Sequence, residues 1–268
     1  MAFPRMTSVM ALGGDAKFAW RKVDARLADK VDVYWTFTVE TPTVELRIIP
    51  DGRIDLIFDL EMRQAFIAGP HERPFDVRHE RATRLLGATM SPEFAAASLG
   101  VEPHSRIGAW GPLGACLGPL AGELSERIAA ARHTRAQVAT LETFLLARAG
   151  VADHRVSRAI TEIRAAGGKV GVAALGRRSG ASPRTLARLF DRFVGLPPKT
   201  FARIARVQEA LRRMQEAPAP NLKTLAAELG FSDQAHMSRE VKAMTGASPG
   251  RLAETFKTSA EIFKLGGD

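Results

Sequence analysis

Cysteine is almost absent from this chain of 268 residues: Cys116 stands alone, so no internal disulfide forms and the bridged frameworks of small secreted domains are excluded. Cysteine and histidine nowhere cluster at zinc-site spacing. Long hydrophobic runs are missing as well. The longest uncharged stretch, residues 107–122, falls short of the ~20 residues of a membrane-spanning helix and is broken by Gly108, Gly111, Pro112, Gly114, Gly118 and Pro119. No membrane partner is expected. Arg5 is followed only by Val9, Met10, Ala11 and Leu12 before Gly13 and Asp15, less than the ~7–15-residue apolar region of a signal peptide, so a reducing, cytoplasmic setting is expected. The glycine-rich stretch 108–122 lacks both Gly-x-Gly-x-x-Gly and Gly-Lys-Ser/Thr and reads as a packing loop rather than a phosphate cradle. A cupin-type metal centre would want a His-x-His pair, and His71, His79, His104 and His133 do not supply one. No nucleophile motif stands out, so no catalytic residue, metal or cofactor is expected. Cys116, in an apolar setting, reads as an inert thiol.

What is present is an ordinary globular composition, 46% hydrophobic and 25% charged, with a net charge of +9 that is unevenly placed. Residues 1–150 carry 18 basic and 18 acidic side chains, and residues 151–217 carry 14 and 5. Residues 218–268 carry 6 of each, so the whole excess sits in one segment. A basic segment of this kind suits an anionic partner.

The first part alternates as strands do. Val31, Val33, Trp35, Phe37 and Val39 alternate with polar neighbours, then Val44, Leu46 and Ile48, then Ile54, Leu56, Phe58 and Leu60. Pro50-Asp51-Gly52 is a turn, because proline presets φ, aspartate bonds locally and glycine accepts positive φ, and it suggests a hairpin between the flanking runs. Further short runs punctuated by Gly69-Pro70 and Pro74 argue for an antiparallel β-sandwich or cupin-like barrel. Two flanking helices follow, one through Leu117, Leu120, Leu124 and Ile128, the other through Val138, Leu141 and Leu145 with Thr134 as its cap. His79-Glu80 between Arg78 and Arg81 reads as a solvated loop, with anion recognition as the alternative.

Residues 151–268 read as helices throughout. Asp153 caps a helix bearing Val156, Ile160 and Ile163, which Gly167-Gly168 ends. Val172 to Gly180 and a Ser182-Pro183 start then give helix, glycine turn, helix, with Leu186, Leu189, Phe190 and Phe193 on one face. A longer helix carries Phe201, Ile204, Leu211 and Met214 on one side and Arg203, Arg206, Arg212 and Arg213 on the other, where some are expected to reach phosphates. The unit then returns from Leu222 to Pro249. At an offset of 51, Leu186 pairs with Met237, Arg188 with Arg239, Phe190 with Val241, Gly195 with Gly246 and Pro198 with Pro249. Two helix-turn-helix units on one linker place two recognition helices where each enters a major-groove segment, about one DNA turn apart.

The segment from Val172 to Leu211, with Gly230-Phe231-Ser232-Asp233-Gln234-Ala235-His236-Met237-Ser238-Arg239 and Gly246-Ala247-Ser248-Pro249, resembles the twin helix-turn-helix domain of AraC/XylS-type transcriptional regulators. It departs from that pattern at Met237 and Val241, usually phenylalanines, and at Gly250-Arg251-Leu252 after the proline. Trp35 and Pro50-Asp51-Gly52 are more weakly similar to the β-rich sensor domains of such regulators. The resemblance implies an α+β chain with residues 1–150 as a sensor or dimerisation domain and residues 151–268 as the DNA-binding domain. It implies DNA contacts by Arg184, Thr185, Ala187, Arg188 and Arg192 in the first unit, the first four of them facing bases, and base contacts by Gln234, Ala235, His236 and Arg239 in the second. The implied partners are double-stranded operator DNA, an unidentified small-molecule effector, a second copy of the chain and RNA polymerase. The alternative is a cupin-like small-molecule enzyme with an accessory nucleic-acid-binding domain. A non-specific RNA-binding protein is disfavoured by the neutral second unit and the single Tyr34.

Overall fold

The computed structural model describes residues 8–41, 43–103, 110–217 and 220–262, with side chains described as far as Phe256. Residues 104–109, which include His104 and the start of the glycine-rich stretch, lie outside the described residues. Nine strands and eleven helices are found among the described residues. The strands β1 (Val9–Gly13), β4 (Val44–Ile48) and β7 (Phe75–His79) form a three-stranded sheet in the order β1-β4-β7. The strands β2 (Ala16–Arg21), β3 (Val31–Val39), β5 (Ile54–Asp59), β6 (Gln64–Ala68), β8 (Thr83–Met90) and β9 (Trp110–Pro112) form a six-stranded sheet in the order β2-β3-β8-β5-β6-β9. Every pairing is antiparallel.

Period-two alternation gives the large sheet two apolar faces with different duties. Ile54, Leu56 and Phe58 of β5, Ala65 and Ile67 of β6, and Leu86, Ala88 and Met90 of β8 are buried against helices α1 (Pro92–Leu99), α3 (Pro119–Ala130) and α4 (Thr134–Ala147), which contribute Phe94, Leu124, Ile128, Leu141 and Leu145. A bulge between Val31 and Val33 shifts the parity of β3, so Val31 and Tyr34 both join this helix-covered face. The other face turns toward the small sheet, where Phe37 and Val39 meet Val44 and Leu46.

Three local expectations are corrected. The Pro50-Asp51-Gly52 turn closes no hairpin: β4 pairs with β1 and β7, β5 pairs with β6 and β8, and the turn carries the chain from one sheet to the other. Alternation fixes which side chains share a face but not which strand is the neighbour, and this connection is too long for the two-residue loops that enforce a hairpin. His133, not Thr134, caps α4, its Nδ1 accepting from Ala136 N at 3.1 Å. The described part of the stretch read as a loop holds β9, α2 (Gly114–Leu117) and the start of α3, and Cys116 there is only half-buried.

The remaining helices are α5 (His154–Ala165), α6 (Val172–Ser179), α7 (Pro183–Phe193), α8 (Pro198–Glu216), α9 (Leu222–Glu228), α10 (Gln234–Thr245) and α11 (Pro249–Ile262). Their apolar faces share one core in which Phe201, Ile204, Leu211 and Met214 of α8 lie between Leu186 and Phe190 of α7 and Met237 and Val241 of α10. The repeat seen in the sequence is thus a repeat of buried positions.

The two parts of the chain meet at the sheet-to-sheet turn. Ile49, 1% exposed, belongs to the helical core, and Gln208 Nε2 donates to Pro50 O at 2.6 Å. Gly52 has φ +69°, and a Cβ there would lie 2.7 Å from the Phe201 ring. Replacing Gly52 therefore meets both backbone strain and a buried ring. Gly52→Ala is expected to destabilise the protein by ~1–3 kcal/mol, read as a lowered Tm; an unchanged Tm would mean that the turn and α8 are not tightly seated.

Candidate functional site

The first candidate surface is built by capping and amphipathicity. Ser182 Oγ accepts from Thr185 N at 3.1 Å and Pro183 takes the first helical position, which fixes where α7 begins. With Leu186, Leu189 and Phe190 buried, the structure leaves Arg184, Ala187, Arg188 and Arg192 exposed and Thr185 half-buried. Among the described residues, Arg184 and Arg188 have no ion-pair partner. Arg192 lies where α7 approaches α1, in a groove shared with Ala96, Ala97 and Gly100, and its guanidinium stands 5.1 Å from the Phe193 ring centre.

In the second unit Asp233 caps α10 by accepting from His236 N at 2.6 Å. Gln234 and Ala235 are exposed at the start of α10, and Arg239 is exposed one turn further on. His236 is half-buried and engaged locally: Nδ1 lies 3.1 Å from Ser232 Oγ and the ring stands edge-on to Phe231 with centres 5.5 Å apart. The arginines of α8 are also engaged within the chain. Arg203 pairs with Glu240 at 3.2 Å, and Arg206 donates to Gly168 O and Gly230 O, each at 3.2 Å. Arg212 and Arg213 share Glu209, at 2.5 and 3.1 Å. Arg203 and Arg206 therefore tie the linker to neighbouring elements and Arg212 and Arg213 are neutralised along α8 itself, while Arg184 and Arg188 remain open to solvent.

The second candidate site was not anticipated. A cavity of about 1130 Å³ lies between the two sheets and reaches the linker helix. Trp20, Trp35, Phe37, Phe66 and Trp110 line it from the large sheet, and Arg164 of α5 with Phe201, Ala205 and Gln208 of α8 line it from the helical part. The His79-Glu80 segment read as a solvated loop belongs to this wall. His79 is half-buried with its ring centre 4.8 Å from that of Phe37, and burial and Arg81 hold its pKa down.

Trp35 lies flat across its strand partner Gly87, where any Cβ would collide with the indole. This close approach, open only to glycine, lets Trp35 Nε1 donate to Thr89 Oγ1 at 3.1 Å and Asp55 Oδ1 at 3.3 Å. Thr89 Oγ1 also donates to Asp55. Burial, reinforced by the neighbouring charges of Asp51 and Asp32, pushes Asp55 up to about 7. Asp51 is raised for the same reason, burial, against the opposing pull of His71 and Arg53. At the domain junction burial and Arg53 hold Arg164 down to about 10, while burial raises Glu93. The signal in the sequence was Asp55 and Asp59 flanking Ile57 on one strand face, two carboxylates where the opposite face is wholly apolar.

Two helix-turn-helix units on a shared linker, each with an exposed polar recognition helix, define a DNA-binding protein. Residues 175–255 match the family model described as a helix-turn-helix domain, and this segment is a DNA-binding helix-turn-helix domain. Residues 23–107 match the model of a domain of unknown function (DUF6597). No curated protein matches the chain. Similar solved structures include a transcriptional regulator with an AraC-type DNA-binding domain from Chromobacterium violaceum, 19% identical, covering 38% of this chain and 91% of that one at a TM-score of 0.36. A probable AraC family regulator from Rhodopseudomonas palustris is 25% identical, covering 38% and 96% at 0.35. ToxT from Vibrio cholerae is 11% identical, covering 93% and 99% at 0.41.

The raised pKa of Asp55 has a definite sign. The folded chain holds this proton more tightly than the unfolded chain, so the stability it contributes is complete below the ordinary carboxylate range and lost as pH rises through about 7. Asp55→Asn, which keeps an acceptor for Trp35 and Thr89, is expected to gain Tm over the parent by roughly 3–6 °C more at pH 8 than at pH 5. A Tm difference independent of pH would refute the assignment.

Proposed function

We propose that the chain is a sequence-specific transcription regulator, with residues 151–268 binding operator DNA and residues 1–150 receiving a small-molecule effector. The observation that carries this reading is the shared wall: Phe201, Ala205 and Gln208, on the helix that joins the two DNA-binding units, also line the cavity of the β-rich part. A molecule filling the cavity touches the linker directly, so its occupancy changes the free energy of the arrangement in which α7 and α10 are held. The N-terminal part holds both units. α7 packs on α1, and Arg47, paired with Asp76 at 2.7 Å, lies against Gly246 at the end of α10.

In this reading Arg184, Thr185, Ala187 and Arg188 face bases in one groove segment, and Gln234, Ala235, His236 and Arg239 face those in the next. Arg192 contacts the duplex backbone beyond the first set. Arginine suits guanine and glutamine suits adenine because each forms paired hydrogen bonds with the base edge. RNA polymerase and a second copy of the chain are the protein partners, the cytoplasm is the compartment, and no catalytic step belongs to the function.

The test uses DNA selected by the protein from a random pool. Arg188→Ala is expected to lose about 10- to 100-fold in affinity for the selected site and to relax preference at one base position. Arg239→Ala is expected to lose less, because the net positive charge lies in the first unit. Equal losses on selected and random DNA would make Arg188 a phosphate contact, and a larger loss for Arg239→Ala would overturn the asymmetry. For the effector part, Ala205→Trp, which puts an indole into the cavity from α8, is expected to shift affinity for the selected site by about tenfold; an unchanged affinity in the folded variant would separate the cavity from DNA binding.

A further inference from the structure

Three charged side chains in the cavity wall have bonding capacity to spare, and they are of both signs. Arg53 gives one nitrogen to Asp32, but its Nη1 is buried with no partner among the described residues, and so is Nη2 of Arg164. A buried charged donor without a partner costs more than a neutral one, so two of them in one wall call for an acceptor. The two guanidinium groups also oppose each other. Burial and Arg53 hold Arg164 down to about 10, which leaves it a cation at neutral pH.

The third group is Asp55. Its donors among the described residues are neutral, Trp35 Nε1 at 3.3 Å and Thr89 Oγ1, and both hold Oδ1, which leaves Oδ2 for a guest. Asp51 differs, because it accepts from Arg53 N at 2.9 Å and has His71 and Arg53 as positive neighbours. Arg53 and Asp55 stand two residues apart where β5 begins and both line the cavity, so a cationic and an anionic side chain leave one face of the strand about 7 Å apart. A carboxylate and an ammonium group attached to one carbon, with a hydrogen bond of about 2.8 Å at each end, span such a distance. The floor beside Asp55 is the Trp35 indole, which lies flat over Gly87 and is paired with Trp20 across β3 and β2.

We propose that the cavity takes a zwitterion, an α-amino acid with a large apolar side chain, its carboxylate between Arg53 Nη1 and Arg164 Nη2, its ammonium group on Asp55 and its side chain against Trp35. Such a guest brings no net charge into a wall that holds both signs, and it meets the spare donors and the spare acceptor together. A cation alone leaves the two arginines unmet, and an anion alone leaves Asp55 unmet. Asp55, pushed up to about 7 by burial, gains in the ammonium group the opposite charge that favours its ionised form. Because Arg53 and Asp55 belong to the β-rich part and Arg164 to α5, the guest ties the two parts of the chain where they meet. This inference rests on the reading of the cavity as an effector site and names the chemistry of that effector.

The experiment is isothermal titration calorimetry on the full chain with three probes that share one skeleton: L-phenylalanine, 2-phenylethylamine, which lacks the carboxylate, and 3-phenylpropionate, which lacks the amine. L-Phenylalanine is expected to bind at least about tenfold more tightly than either. Asp55→Asn is expected to erase its advantage over 3-phenylpropionate, and Arg164→Gln its advantage over 2-phenylethylamine. Arg164→Lys, the second variant should Arg164→Gln fail to fold, is expected to reduce that advantage, because an ammonium group does not reproduce the paired donors of a guanidinium. A singly charged probe that binds as tightly as L-phenylalanine would overturn the proposal, and so would binding of none of the three or an L-phenylalanine affinity that neither variant changes. Affinity for the selected DNA separates this proposal from the one beneath it. If a singly charged probe alone binds and shifts that affinity, the effector reading stands and the zwitterion fails; if L-phenylalanine binds through Asp55 and Arg164 and DNA affinity does not move, the reverse holds.

Discussion

The arrangement depends on the seating of one turn. Pro50-Asp51-Gly52 carries the chain from the small sheet to the large one, places Asp51 in the cavity wall, and offers the Pro50 carbonyl and the bare Gly52 backbone to Gln208 and Phe201. A hairpin here would have joined both strands into one sheet and removed the gap between sheets in which the cavity lies. Because the turn instead crosses that gap, the same three residues close the cavity and receive the linker helix. Ile49 strengthens the seating by burying its side chain in the helical core rather than in either sheet.

The basic character of the linker segment divides into two uses. A net charge counted along a sequence says nothing of which cations are already neutralised, and α8 shows how large that share becomes. Arg212 and Arg213 pair with Glu209 on α8 itself, whereas Arg203 pairs with Glu240 of α10 and Arg206 with two backbone carbonyls of the flanking turns, so α8 is tied to its neighbours by hydrogen bonds as well as by its apolar face. These exposed or half-exposed pairs add little stability one by one, but as a network they fix orientation. Arg184 and Arg188 are left with solvent on their side of α7.

The helical half was legible in the sequence because its signals are local. Asp153, Ser182 and Asp233 cap helices where a capping side chain is read beside a change of pattern, and the offset of 51 aligns buried with buried, Leu186 with Met237 and Phe190 with Val241. The strands were legible as strands, but their partners were not, since pairing across a sheet is set by contacts distant in sequence. Tyr34 shows the limit: alternation put it opposite the apolar set of β3, and it is fully buried because a bulge and a helical layer cover that face as well. β1, β2 and α1 escaped notice, the strands for want of a clean alternation and α1 because its buried set includes Glu93 and Ser98. The cavity escaped altogether, because it is made by strands of both sheets, a turn and two helices, and its most informative carboxylate differs from a solvated aspartate only in what surrounds it.

The placement of Trp35 on Gly87 has a consequence for how the molecule reveals its own state. The three tryptophans of the chain are Trp20, Trp35 and Trp110, and all three line the cavity, while the single tyrosine is sealed on the opposite side of the sheet. No tryptophan or tyrosine occurs in residues 151–268. The ultraviolet emission of this chain therefore originates almost entirely around the cavity, with Trp110, 62% exposed, at its rim and residues 151–268 optically silent, so a change in the emission of Trp20 and Trp35 reports on the cavity's contents without a label.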